Sequence, residues 1–162
     1  MTLSTGYLTT KQRLIWGMKN RGVREAHIAR QLDVTRQTVH KIIDIANARV
    51  EDSLKEAAEL NKIEIIMLDV QKGFLSGYSS HFKTEAYVTF TAKNGIQIWY
   101  KHDCNCTKCR HLNTCREKLL SEAAERNFLV TEDANEIIPS KLADAMFSRL
   151  LQAEKDKQLN SA

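Results

Sequence analysis

The chain has 162 residues, 43% of them hydrophobic and 27% charged, with a formal charge of +4. That mixture fits one or two water-soluble domains and excludes a low-complexity or fibrous chain. No apolar run approaches the roughly 20 residues that a membrane-spanning helix needs, and Met1 to Gly6 lacks the basic and apolar parts of a secretory signal, so a cytoplasmic protein is expected.

The charge is segregated. Residues 1–50 hold nine Lys/Arg against Glu25, Asp33 and Asp44, a net of +6, which leaves −2 for the other 112 residues. A basic segment of this kind is the electrostatic footprint of a nucleic-acid module. A first helix is predicted over 9–20, with Thr9 or Thr10 as its cap and Gly22 after its end. A second covers 24–32 and carries Ala26, Ile28, Ala29 and Leu32. After the turn Asp33-Val34 a third helix starts at Thr35, which is suited to cap it.

Residues 25–42 carry a helix-turn-helix pattern. Ala29 is the small residue where two helices cross, and Asp33 stands where a left-handed backbone is required. Ile28, Leu32, Val34, Val39 and Ile42 fall where apolar contacts lock the helices together. Thr35, Arg36, Gln37, Thr38, His40 and Lys41 are then left for DNA. Arg and Gln are the side chains that read guanine and adenine edges, and Thr and Lys reach phosphates. Early residues of such a helix enter the major groove. With the opening Leu8-Thr9-Thr10-Lys11-Gln12-Arg13, the block resembles sigma-factor region 4, LuxR-type domains and the archaeal Tfx family, departing from them at Asp33, where they favour glycine. The resemblance covers about residues 8–50 and implies a transcription regulator that binds double-stranded DNA. One such module reads few base pairs, so a homodimer on two half-sites is expected.

The third helix is expected to run on, with Val50, Leu54, Ala57 and Leu60 as an apolar stripe. Residues 63–70 are apolar, and their period does not decide between a longer helix, to about 71, and a strand. Gly73 to Gly77 breaks the pattern. Residues 84–91 and 96–101 read as strands around Asn94-Gly95, a type I′ hairpin turn. Thr114 to Glu117 has the form of a capping box opening a helix over about 114–126. A last helix starts near Pro139, with Leu142, Met146 and Leu150 on one face, Phe147 and Leu151 beside them, and frayed final residues. The two stripes, Val50/Leu54/Ala57/Leu60 and Leu142/Met146/Leu150, are the candidate dimer contacts.

All four cysteines, Cys104, Cys106, Cys109 and Cys115, lie within twelve residues. A disulfide framework spreads its cysteines through a fold, so this cluster points to metal. Four thiolates suit one [4Fe–4S] cluster or one zinc ion. Structural zinc commonly uses two Cys-x2-Cys knuckles separated by a longer loop; here only Cys106 and Cys109 form one, which favours iron–sulfur. The Cys106/Cys109/Cys115 spacing is similar to the last three cluster cysteines of endonuclease III-type glycosylases and WhiB-like regulators. Lys101, His102, Lys108, Arg110, His111, Arg116 and Lys118 surround the cluster in sequence and suit an anionic centre. His102 and His111 are read as neighbours rather than ligands, and Trp99 and Tyr100 as core or shielding residues. Thiols that form disulfides without metal are the remaining alternative.

The sequence thus predicts an α+β protein: a helix-turn-helix domain (1–50), a connecting helix (51–72) and a C-terminal domain (73–162) of a β-hairpin and helices around the four-cysteine metal site. No radical-enzyme cysteine motif, acid/base pair or Gly-rich phosphate loop is present, so no enzyme is expected. The expected function is a DNA-binding regulator whose [4Fe–4S] cluster senses redox state, oxygen or iron. The alternative is a regulator with structural zinc that answers to another ligand.

Overall fold

In the computed structural model, which describes residues 8–102 and 105–161, helices lie on both faces of a four-stranded antiparallel sheet. The elements are α1 (Thr10–Asn20), α2 (Glu25–Gln31), α3 (Arg36–Leu60), β1 (Ile63–Asp69), β2 (Phe74–Ser79), β3 (Thr84–Thr91), β4 (Gly95–Tyr100), a 3₁₀ turn (Cys106–Lys108), α4 (Leu112–Glu125) and α5 (Pro139–Asn160). Among the described residues no helix is long and apolar enough to cross a membrane.

Helix endings follow one device. Gly22, Asp33, Lys62 and Asn127, each just past a helix, have φ of 85°, 50°, 54° and 53°. After α1, α2 and α4 the amides that follow turn back onto the last carbonyls: Val23 to Met18, Val34 to Ala29 and Phe128 to Ala123, at 3.1, 3.0 and 2.8 Å. These are Schellman closures, which satisfy carbonyls that a helix otherwise leaves open. The left-handed Lys62 stops α3 at Leu60, so the connecting helix expected over 51–72 is shorter and 63–69 is a strand.

The sheet is a meander in the order β1-β2-β3-β4. Its turns are also alike. Asp69, Ser79 and Thr91 close the outgoing strands, and their side-chain oxygens accept from the amides of Lys72, Phe82 and Asn94 at 3.1, 3.2 and 3.1 Å. A left-handed residue then opens each returning strand: Gly73, Lys83 and Gly95, with φ of 57°, 54° and 66°. The third turn is therefore not the expected type I′. Only Gly95 is left-handed, and the loop has three residues, since Thr91 pairs with Gly95.

Alternation along the strands sends side chains to two cores. Leu75, Ala86, Val88 and Phe90 face α3, which buries Ala46, Val50, Leu54 and Ala58 against them. Phe74 and Tyr87 face the other way, onto Leu119 and Ala123 of α4 and Leu142, Met146 and Phe147 of α5. Both stripes considered for dimerisation thus lie against the sheet of the same chain. Leu60 has rotated out of its stripe and is 72% exposed. Helix α4 opens at Leu112, with His111 as cap, so the Thr114 box does not start it; α5 stays helical to Asn160.

Candidate functional site

The Leu8 to Arg13 opening is a reciprocal cap. The Gln12 amide donates to Thr9 Oγ1 at 3.2 Å, and the Thr9 amide donates to Gln12 Oε1 at 3.0 Å. Helices α1, α2 and the first half of α3 enclose a core of Ile15, Ile28, Ala29, Val39 and Ile43, with Leu32, Val34 and Ile42 packed around it. Ile15 and Ile43 are additions to the expected core; Ile43 lies one helical turn after Val39, whereas no core face is assigned in the first helix from the sequence.

Asp33 takes the left-handed conformation the turn requires. A non-glycine residue there costs about 1–2 kcal/mol, part of which glycine returns as chain entropy. Asp33→Gly is therefore expected to stabilise the protein by about 0.5–1 kcal/mol, read as a higher urea midpoint with unchanged m-value. A lower midpoint would mean that the Asp33 side chain itself holds the turn.

Thr35 caps α3, accepting from the Thr38 amide at 3.1 Å, and the two hydroxyls are 2.8 Å apart. The first turn of α3 is thereby fixed. Arg36, Gln37, His40 and Lys41 are exposed and line one groove with Glu25 and Asp44. The groove carries its own counter-charges. Glu25 lies 3.1 Å from Lys19, 3.4 Å from His40 and 4.0 Å from Arg36, and His40 lies 3.6 Å from Asp44. Burial raises the Glu25 carboxyl, but Lys19 and His40 outweigh it and hold the group below the usual range. Glu25 thus stands among Lys19, Arg36 and His40, a position that nothing beside it in the chain announces. The Arg36 side chain remains 75% exposed.

The second site lies on the sheet face opposite α3. Cys104 falls outside the described residues. Cys106 starts the 3₁₀ turn, Cys109 follows it, and Cys115 is in the first turn of α4. These three line one cavity, of about 90 Å³, walled by Trp99, Leu112, Leu119, Ala143 and Phe147. The Cys106 thiol donates to Ser140 Oγ, near the start of α5, at 3.3 Å. The His111 amide points at Cys109 Sγ from 3.4 Å. Burial, then the neighbouring Cys109 and Cys106, push the Cys115 thiol up.

Among the described residues no three His, Cys, Asp or Glu side chains are placed to hold a metal ion. The basic surround is partly engaged elsewhere: Lys101 pairs with Glu85 at 2.9 Å, Arg116 donates to the Ile137 carbonyl at 2.9 Å and Lys118 to Gln97 at 2.7 Å. His102 lines the cavity with Nδ1 2.8 Å from the Tyr100 carbonyl, and His111 takes a hydrogen bond from Arg110 at 3.0 Å. Trp99 packs on Phe147 and donates to Thr89 at 3.2 Å and Glu122 at 3.3 Å. Ser140 and Phe147, some 25 residues or more along the chain from Cys115, reach the cavity through α5 and have no signature near the cysteines. The chain matches no protein-family model, no curated protein and no solved structure.

Proposed function

We propose that the protein is a sequence-specific regulator of transcription that binds double-stranded DNA through α2 and α3, and that its four cysteines hold a [4Fe–4S] cluster that senses redox state, oxygen or iron. One observation carries the DNA reading: Arg36, Gln37, His40 and Lys41 stand together on the exposed side of a capped helix whose other side is locked into a three-helix core. This is the arrangement by which a helix presents base-reading groups to a major groove.

The cysteine reading rests on the donor set. Three cysteines, whose sulfurs are soft ligands, line one cavity with apolar walls, and Cys104 stands two residues before the first of them. When bound, such a cluster supplies one-electron redox chemistry and sensitivity to oxygen. The chain's own part is to place Cys106, Cys109 and Cys115 on one cavity, to orient Cys106 through Ser140, and to exclude water with Trp99, Leu119 and Phe147. Zinc on the same thiolates is the second reading, favoured by the Cys106/Cys109 knuckle. A homodimer belongs to the proposal on operator geometry alone, because both apolar stripes pack within the chain.

The test is selection of duplexes from a randomised pool by anaerobically purified protein, with iron, sulfide and zinc analysis of the same sample. An enriched site together with iron and sulfide in cluster ratio supports both parts. Failure to enrich any site overturns the DNA reading, and zinc without sulfide replaces the cluster with the second reading.

A further inference from the structure

Helix α3 joins the recognition residues to the sheet, but it packs on the face away from the cysteines. A different element spans the two sites. Helix α4 carries Cys115 in its first turn, lining the thiol cavity. Twelve residues later, about 18 Å along at 1.5 Å per residue, the chain reaches Asn127.

There three consecutive residues grip the surface on which α1 sits. The Glu125 carboxylate accepts from the amides of Ala92 and Lys93 at 2.6 and 3.3 Å, holding the β3–β4 turn. Arg126 donates to the carbonyls of Lys72 and Gly73, the latter at 3.2 Å, holding the β1–β2 turn. Asn127 Nδ2 donates at 3.2 Å to the carbonyl of Arg21, the C-cap of α1.

Both turns are in close contact with α1. A Cβ placed on Gly17 would lie 2.9 Å from the Ala92 methyl, and one on Gly73 would lie 3.0 Å from the Trp16 ring. Trp16 in turn donates to Asn47 of α3 at 3.1 Å. Between its ends α4 is held by the buried Glu122, bonded to Thr89 and Trp99 of the sheet and to Arg126. A helix fixed this way moves as one piece, because its interior is close-packed and hydrogen-bonded.

From this we infer that α4 is the relay that couples the cysteine site to the DNA-binding helices, through Glu125, Arg126 and Asn127 acting on α1. The inference rests on the sensing function proposed above and names its route. A change in what Cys115 binds shifts the start of α4, and the far end passes the shift to the α1 C-terminus. Two sites are coupled only where an element common to both changes its balance, and α4 with the two residues that follow it reaches from Cys115 to the α1 C-cap.

The test is hydrogen exchange on the full chain, loaded with the metal it retains on purification and then stripped by chelator. In the wild-type protein, amides 17–23 at the end of α1 should differ in exchange by about fivefold or more between the two states. Asn127→Gly keeps the left-handed backbone and removes the tie to Arg21. It should shrink that difference to under about twofold, with metal content unchanged. Adding Glu125→Gln, which leaves one acceptor for two amides, should shrink it further.

Wild-type amides indifferent to metal loading, or a double variant that keeps the full wild-type difference, overturn the relay. Affinity for the selected duplex, measured on the same samples, separates the two ideas. A response at α1 without a change in affinity leaves the relay standing and removes the sensing function. A change in affinity without a response at α1 does the reverse.

Discussion

Replacing Arg36 and Gln37 together with alanine should weaken binding to the selected duplex by about 30-fold or more, since each base-reading side chain is worth about 1–3 kcal/mol. Neither side chain is buried: both stand in the open groove on α3. The same double variant should therefore keep its unfolding free energy, read by urea denaturation, to within about 0.5 kcal/mol. The combination of lost affinity and kept stability is what marks a contact residue. Lys41→Ala is the internal comparison. If Lys41 meets a phosphate, its loss weakens selected and unrelated duplexes alike and lowers the salt slope by about one. Glu25 refines the expectation. It lies within 4.0 Å of Arg36 and 3.4 Å of His40, so Glu25→Gln removes a negative charge from the groove, leaves both side chains less restrained and should raise affinity for unrelated duplexes more than for the selected one. The measurement is fluorescence anisotropy at one fixed salt concentration, followed by a salt series. Affinity for the selected duplex unchanged in the Arg36→Ala/Gln37→Ala protein would remove this face of α3 as the reading surface.

What could be read from the sequence divides along the range of the interactions. The three-helix unit was legible because its signals are local. The Thr9/Gln12 cap, the Thr35 cap and the left-handed Asp33 each involve residues within a few positions of one another. The 63–70 ambiguity had a physical cause. β1 is an edge strand with a bulge between Ile65 and Met67, and Ile65 and Ile66 are both exposed, so the alternation that marks a strand is absent. β2 was read as a break because of Gly73 and Gly77. Gly73 is the left-handed residue that opens the strand, and Gly77 lets it approach β1, where a Cβ would lie 2.4 Å from the Glu64 carbonyl oxygen. The cysteine spacing was plain in the sequence, but the cavity around it was not. Its walls come from β4, α4 and α5, and nothing beside Cys115 announces Ser140 or Phe147. Glu122 is a similar case: at the level of the sequence it is one more acid on an amphipathic helix.

That acid should give the largest stability change of any single substitution considered for this protein. Glu122 is fully buried and accepts from Thr89 at 2.5 Å, Trp99 at 3.3 Å and Arg126 at 3.3 Å. Glu122→Ala removes the acceptor shared by Thr89, Trp99 and Arg126, of which Trp99 keeps Thr89 Oγ1 and Arg126 keeps the Lys72 and Gly73 carbonyls. Losing that buried acceptor and opening a cavity in its place costs about 2–4 kcal/mol, or roughly a 10 °C fall in Tm for a chain of this size. Glu51→Ala, which removes an exposed pair with Lys55, should cost under about 1 kcal/mol. The pH dependence gives a sharper check. Burial pushes the Glu122 carboxyl up, against the opposing pull of Arg126 and the hydrogen bonds from Thr89, Arg126 and Trp99. The folded chain then holds this proton more tightly than the unfolded chain does. The stability it contributes is complete below the unfolded value, about 4.3, and is lost as pH rises through the folded value. Glu122→Gln carries no proton to lose. The stability gap between wild type and Glu122→Gln should therefore shift steadily against the wild type as pH rises from about 5 to 8. Urea denaturation at several pH values reads this directly. A gap that moves the other way would mean that Arg126 and the hydrogen bonds outweigh burial, so that Glu122 is held as the carboxylate in the folded protein.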